Sequence, residues 1–230
     1  MSAAYPPRIT LVTPSYNQGN YIEATIQSVL AQNYPNLEYF VIDGGSTDQS
    51  AAIIERYAAH LAYWVSEPDR GQTHAINKGF ARSTGEIMGW LNSDDVLLPG
   101  ALDRVAMAFQ KDKTVEVVTG FRKVIDPDGR FIANIFRGVP EAEVLLLYCP
   151  IMQETTFWRR RVWEHLGLLD KHLQYIMDYE YWLRMTLAGY RFTLLPYYLG
   201  GFRQHAASKG TTQEDTRQRE LAEIYQKRLM

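Results

Sequence analysis

The chain has 230 residues, 46% of them hydrophobic and 22% charged, enough to bury roughly 70% of its unfolded surface without a disulfide or structural metal. Its 24 Lys and Arg against 26 Asp and Glu leave a net charge of -2, which offers no basic footprint for nucleic acid. A single cysteine, Cys149, excludes an intramolecular disulfide and a cysteine-rich zinc site and fits a reducing compartment.

No apolar run nears the ~20 residues of a membrane span, and Met1 to Pro7 has no signal-peptide core. Arg8 to Thr13 is apolar almost throughout and predicts a strand covered on both faces, broken by Thr13-Pro14-Ser15-Tyr16-Asn17. Tyr21 to Gln32 sets Ile22, Ile26, Val29 and Leu30 on one face and predicts a helix. Tyr39 to Ile42 predicts a second strand, ended by Asp43-Gly44-Gly45-Ser46, with Ser46 or Thr47 placed to cap a helix to about His60. A third strand at Ala62 to Val65, a helix at Thr73 to Ala81 and a fourth strand at Ile87 to Leu91 follow.

This alternation predicts the α/β class, with a mostly parallel central sheet. Right-handed crossovers bring the strand exits to one edge, where ligands bind in open α/β sheets. The exits carry Pro14-Ser15-Tyr16-Asn17, Asp43-Gly44-Gly45-Ser46, Glu67-Pro68-Asp69-Arg70 and Asn92-Ser93-Asp94-Asp95. A single ligand shared by these polar turns bears hydroxyls or ring nitrogens, and any phosphate on it needs a cation.

The second half reads differently. After a helix at Leu102 to Lys111, Val115 to Gly120 and two strand-like pieces around Asp126-Pro127-Asp128-Gly129 predict a hairpin. Helices are expected at Glu141 to Tyr148, Arg159 to Leu166 and Asp178 to Ala188, and a strand at Phe192 to Leu199. Gly200 to Thr212 has the composition of a mobile loop. In Gln213 to Met230, Leu221, Ile224, Tyr225 and Leu229 share a helical face amid balanced charge, which suits packing on the domain or a partner.

Dinucleotide, P-loop, Gly-x-Ser-x-Gly and His-Glu-x-x-His signatures are missing. Asp94 and Asp95 repel each other unless a cation or donors compensate. They either help hold a divalent cation on substrate phosphates or cap the helix after Pro99-Gly100. Asp43 accepts from a base or ribose while Gly44 and Gly45 admit a ligand, or it belongs to a turn that simply needs glycine. Asp178, near the positive end of a helix dipole, is kept ionised and serves as a general base or an N-cap. His205 is a metal ligand, a phosphate contact or a solvated loop residue. Tyr175, Tyr179, Tyr181 and Trp182 are sugar-stacking platforms or core.

Together, Thr13-Pro14-Ser15-Tyr16-Asn17, Ile26-Gln27-Ser28-Val29-Leu30-Ala31-Gln32 and Val41 through Asp48 resemble the start of family 2 glycosyltransferases of the GT-A fold. Ser66 through Gln72, Ala75 through Gly79 and Trp90-Leu91-Asn92-Ser93-Asp94-Asp95 continue the match, which runs from about Arg8 to Ser208 and is looser after Gly120. The resemblance implies a single GT-A domain with a smaller second sheet or hairpin. Residues 1–120 would form a nucleotide-sugar-binding half. Residues 121–230 would form an acceptor half with the mobile loop 200–212 and a C-terminal helix.

It puts Pro14, Ser15, Tyr16 and Asp43 around the nucleobase, and Asp69, Arg70, Gln72 and Asn77 near base, ribose or diphosphate. Asp94 falls by the ribose, Ser93, which replaces the first acid of the fuller element, on the donor nucleotide, and Asp95, helped by His205, on Mn²⁺ or Mg²⁺. Arg203 falls on the diphosphate, in a closing segment, and Asp178 is the base. It implies inverting transfer from a nucleotide-diphosphate sugar, of UDP type by preference, to a hydroxyl of a glycan, lipid-linked or small-molecule acceptor, in cell-surface or secreted glycan synthesis. The setting is cytoplasmic, with a place at the inner membrane face and homodimerisation left open. The missing Gln-x-x-Arg-Trp signature and transmembrane helices argue against a processive synthase. A sugar-nucleotide-forming nucleotidyltransferase and a non-catalytic nucleotide-binding module stay as alternatives. The first lacks the expected Gly-rich triphosphate loop at Thr13 to Asn17.

Overall fold

The computed structural model describes residues 5–139, 142–145, 147–209 and 214–228. Strand β1 (Ile9–Ser15), buried over all seven residues, pairs in parallel with β2 (Leu37–Asp43) and β4 (Ile87–Trp90). On the far side of β2 lies β3 (Tyr63–Ser66), also parallel. The register sets Ser15 beside Asp43 and Asp43 beside Ser66, so three polar side chains meet at the carboxyl edge.

The other half of the sheet is β5 (Val96–Leu97), β6 (Val117–Ile125), β7 (Phe131–Ile135), β8 (Phe157–Arg159) and β9 (Phe192–Arg203). One sheet of nine strands results, in the order β3-β2-β1-β4-β8-β6-β9-β5, with β7 on β6. The parallel character holds among β1 to β4 and between β6 and β9, whereas β5, β7 and β8 pair antiparallel. The smaller hairpin is β6–β7, bonded into the main sheet.

Successive strand residues point to opposite faces, which yields two apolar layers. Leu11 and Val41 pack with Ile26 of α1 (Ile22–Leu30) and Phe109 of α4 (Ala101–Lys111). Val12 and Ile42 pack with Phe80 of α3 (Gln72–Arg82) and Trp182 of α7 (Met177–Leu187). The aromatic excess is mostly core: Trp90 stacks on Trp182 at 5.5 Å, and Trp158 meets both edge-on. Gly79 lets α3 lie flush on β1, because a Cβ there would stand 2.6 Å from Val12 Cγ1.

Several boundaries move. Neither Ser46 nor Thr47 caps α2 (Ser50–Arg56); Asp48 Oδ1 accepts the Ser50 N–H at 2.8 Å, while Ser46 turns back to Asp43. The last long strand runs to Arg203, four residues beyond the expected Leu199. Gly200 and Gly201 pair with β5, and Arg203 with Ile125 of β6, so Gly200 to Arg203 are strand where a mobile loop was expected. Residues 210–212 of that loop lie outside the described residues. Between β7 and β8 the chain forms α5 (Ala142–Leu145), and after β8 comes α6 (Arg160–Leu166). The C-terminal helix is Glu214–Arg228. No helix among the described residues is long and apolar enough to cross a membrane.

Candidate functional site

The exits of β1 to β4 surround a cleft of about 630 Å³. Pro14, Ser15 and Tyr16 line it from β1, and Asp69 and Gln72 from the turn before α3. Ser93, Asp94 and Asp95 line it after β4. Ser15 Oγ is buried without a hydrogen-bond partner among the described residues, so it is free to meet a ligand. Gly44 makes room for Asp69, whose Oδ2 would stand 2.9 Å from a Cβ there, and Gly45 takes the left-handed φ of 79° against Pro68. These glycines therefore shape the turn as well as the cleft.

Other expected donor contacts are engaged elsewhere. Asp43 is fully buried and does not line the cleft. Its oxygens accept from Ser46 N–H at 2.9 Å, Ser46 Oγ at 2.6 Å and Ser66 Oγ at 2.6 Å. Asn77 spends both ends of its amide on Leu169, donating to its carbonyl at 2.9 Å and accepting its N–H at 3.0 Å. Arg70 is exposed and outside the cleft lining. Arg203 is 3% exposed, with its guanidinium donating to the carbonyls of Asp94, Asp126 and Pro127 at 2.8–3.1 Å. It buttresses the acidic turn from behind.

That turn does not cap α4, whose N-cap is Gly100 with no side-chain bond. Asp95 is buried, and its Oδ1 accepts the backbone N–H of Arg203 at 2.9 Å. Burial, then repulsion by Asp94 and Glu154, pushes its carboxyl well above the usual range, against the pull of that N–H and of Arg122. A buried carboxylate held among like charges is a place for a cation. His205 Nε2 lies 3.1 Å from Asp94 Oδ2, and its ring packs on Tyr21 at 4.5 Å, so it is a fixed partner of the acidic turn, not a solvated residue. Among the described residues no three His, Cys, Asp or Glu side chains are gathered as a complete metal cage. Oxygen ligands from one or two carboxylates suit a hard divalent cation whose remaining positions are filled by phosphate and water.

A second cavity of about 520 Å³ adjoins the first, and Gln72, Asn92, Asp95, Phe202 and Lys209 line both. Asp178 lies in it, within the first turn of α7. The N-cap is Ile176, so Asp178 is not the cap; Oδ1 accepts from the Tyr179 N–H at 2.8 Å. Burial raises its carboxyl pKa, opposed by local N–H groups, Arg122 and Lys209. Desolvation is thus the largest influence on this carboxyl.

Three features of the site had no clear mark in the sequence. Lys209 Nζ donates to Gln72 Oε1 at 2.5 Å and to the Gln174 carbonyl at 2.7 Å, and burial lowers its pKa. Glu220 accepts from the N–H groups of Gln174, Tyr175 and Ile176 at 2.7, 3.0 and 3.1 Å, fixing the turn that leads into α7. Arg122 and Glu154 form a two-pronged pair at 2.7 and 2.5 Å beside Asp178. Only Lys209 had a signal, its place in the Arg203 to Lys209 segment.

A family profile described as Glycosyl transferase family 2 matches residues 10–167. An uncharacterized glycosyltransferase of Rickettsia typhi is 28% identical over 196 residues, covering 78% of this chain and 59% of that protein. A chondroitin synthase of Pasteurella multocida is 28% identical over 185 residues, 80% of this chain and 19% of that one. The chain therefore spans less than two thirds of these relatives. A mannosyltransferase of Pyrobaculum calidifontis, solved with GDP-Man and Mn2+, superposes with a TM-score of 0.71 at 22% identity, over 98% of this chain and 65% of that one. S. aureus TarS 1-349 with UDP-GlcNAc gives 0.68 at 19% identity, over 95% and 66%. These two share the fold.

Proposed function

The chain belongs to glycosyl transferase family 2, and on that footing we propose that it moves a sugar from a nucleoside-diphosphate sugar to an acceptor hydroxyl, with inversion at the anomeric carbon. One observation carries the reading: the wall around Asp95 and Lys209 is common to a cleft formed by the strand exits and a cavity that holds Asp178. The donor occupies the first and the acceptor the second, so residues 1–120 serve mainly the donor and 121–230 mainly the acceptor.

In this reading Tyr16, Asp69 and Gln72 hold the nucleotide, Ser15 Oγ finds its missing partner there, and Ser93 and Asp94 meet the ribose. Asp43 shapes the base pocket through the Ser46 turn, Asn77 braces α3, and Arg203 braces the acidic turn. Asp178 takes the proton of the acceptor hydroxyl as its oxygen bonds to the anomeric carbon. The carbon–oxygen bond to the diphosphate breaks, and its electron pair leaves with the diphosphate. The raised pKa of Asp178 makes it a stronger base than a solvated aspartate. Asp95, beside Asp94 and His205, would hold a divalent cation, Mn²⁺ or Mg²⁺, which when bound would supply charge neutralisation for the diphosphate. Lys209 adds a cationic ammonium from this chain at the same wall.

Similarity to a chondroitin synthase supports a role in glycan synthesis, and the names of the solved neighbours support a nucleotide-sugar donor with a cation. The test is release of nucleoside diphosphate, and sugar transfer onto an acceptor panel, from UDP-, GDP- and dTDP-sugars with Mn²⁺. Turnover is expected with one donor class. If no nucleoside diphosphate, with or without the cation, raises the melting temperature, the reading fails.

A further inference from the structure

Beyond the Asp178 cavity lies a third, of about 460 Å³, between the β6–β7 hairpin and the segment 148–152. The two are continuous, with Arg122, Tyr148, Cys149, Ile151 and Phe202 lining both. Their charge differs. The second cavity is mixed, with Asp95, Glu154 and Asp178 lining it beside Arg122, Lys209 and Arg217. The charged side chains lining the third, among the described residues, are Arg122 and Arg137, and no carboxylate joins them.

The two guanidinium groups are held differently. The Arg122 side chain is 22% exposed, its Nε and Nη2 are fixed on Glu154, and its plane lies 4.7 Å over the Phe202 ring. Its Nη1 is left without a hydrogen-bond partner among the described residues. Arg137, just after β7, is exposed and has no ion pair among the described residues. Glu154 neutralises Arg122, so the uncompensated charge belongs to Arg137. Much of the remaining wall is apolar, with Val124, Ile135 and Met152. A fixed guanidinium edge at Arg122 Nη1 and the free cation of Arg137 against an apolar wall suit the oxygens of a carboxylate or phosphate. The low-polarity wall strengthens that attraction.

We propose that the acceptor is anionic. It carries a carboxylate or phosphate group seated between Arg137 and the free edge of Arg122, while the hydroxyl that receives the sugar reaches Asp178 next door. The inference rests on the transfer reading above and names the substrate class for it. Charge favours the division: in the second cavity an anion meets three carboxylates as well as cations, whereas both charged side chains lining the third, among the described residues, are arginines.

The experiment measures binding of glucose, glucuronate and glucose 6-phosphate to the full chain by ligand-observed NMR, for wild type, Arg137→Ala and Arg137→Glu. Arg137 is exposed, so these variants are expected to fold. At least one anionic probe is expected to bind better than glucose, and whether it is glucuronate or the phosphate identifies the group. Arg137→Glu should weaken that probe by at least about fivefold, the loss of one charge-assisted contact, and high salt should weaken it in wild type. Equal binding of glucose and the anions overturns the proposal. So does anion binding that Arg137→Glu leaves unchanged, since that puts the probe outside the third cavity. The thermal shift from nucleoside diphosphate and Mn²⁺, recorded on the same samples, should be untouched by Arg137→Glu. Absence of any anion preference in wild type, with that shift present, sinks this inference alone, whereas no shift in wild type sinks the transfer reading.

Discussion

Asp95 and Arg203, 108 positions apart, are joined by a hydrogen bond of 2.9 Å from the Arg203 amide to the Asp95 carboxylate. The end of β9 thus reaches across to the turn after β4 and supplies, among the described residues, the backbone donor that steadies the buried acid. That acid is held among like charges, so its removal should have two opposite effects. Asp95→Asn keeps the acceptor for Arg203 while deleting the charge. The cation-free protein should melt at a higher temperature than wild type, and cation-dependent affinity for a nucleoside diphosphate should fall at least about tenfold. Differential scanning fluorimetry and calorimetry check the two halves.

The same carboxylate sets a pH dependence of stability. The folded pKa of Asp95 lies above its unfolded value, so between the two the folded state binds more protons, and stability falls as pH rises through that window. Cation-free protein should lose melting temperature as pH rises above the ordinary aspartate range. Adding Mn²⁺ with nucleoside diphosphate should restore more at neutral than at acidic pH. A melting series with and without the cation reads this directly.

Asp178→Asn should lower transfer by about 10²-fold or more, the range of a lost general base, with nucleotide affinity intact. In wild type the acid limb of the rate profile should lie above the ordinary aspartate range, because burial raises the pKa of this carboxyl. Rates and nucleotide titration across pH test both statements, and wild-type activity in the Asn variant removes Asp178 from the reaction.

Glu220→Ala leaves three N–H groups at Gln174, Tyr175 and Ile176 without their acceptor, at a cost on the order of 3 kcal/mol. The turn they form precedes α7, so kcat should drop along with stability, while KM for the donor changes little. Glu220→Gln, which keeps one acceptor oxygen, should recover part of kcat. Chemical denaturation and steady-state kinetics separate the two effects.

Gly79→Ala tests the packing of α3 on β1. Its Cβ would enter the space of the Val12 methyl groups, and overpacking of this kind destabilises by about 1–3 kcal/mol. Urea unfolding measures it.

The first half of the fold was legible because each strand is an apolar run and each exit a turn of distinctive chemistry. Gly44-Gly45 and Asp94-Asp95 announce their positions without reference to anything distant. The second half depends on pairing. Strand β8 has three residues and β5 has two, too short to carry a period, and both exist because β4, β6 and β9 are there to bond them. Gly200 to Arg203 read as loop by composition, yet strand neighbours on both sides override it. Local sequence left Asp178 between base and N-cap and His205 between ligand and solvated loop residue; the structure puts Asp178 on the second cavity and His205 against Asp94. Local sequence could not show that Asn77 and Arg203 are committed to Leu169 and to the Asp94 carbonyl. Nor could it show that Arg122 meets Glu154 or that Glu220 ties the turn before α7, since these bonds span 32 to 46 residues.

Trp90 stacks on Trp182 inside the core and also lines the Asp178 cavity. Its indole is therefore shared between a rigid aromatic cluster and the wall of the cavity proposed for the acceptor. Intrinsic fluorescence should consequently report occupancy of that cavity without any label: an acceptor that dries the wall shifts the emission of Trp90 to the blue. The protein thus contains its own optical gauge for screening acceptors before any transfer is observed.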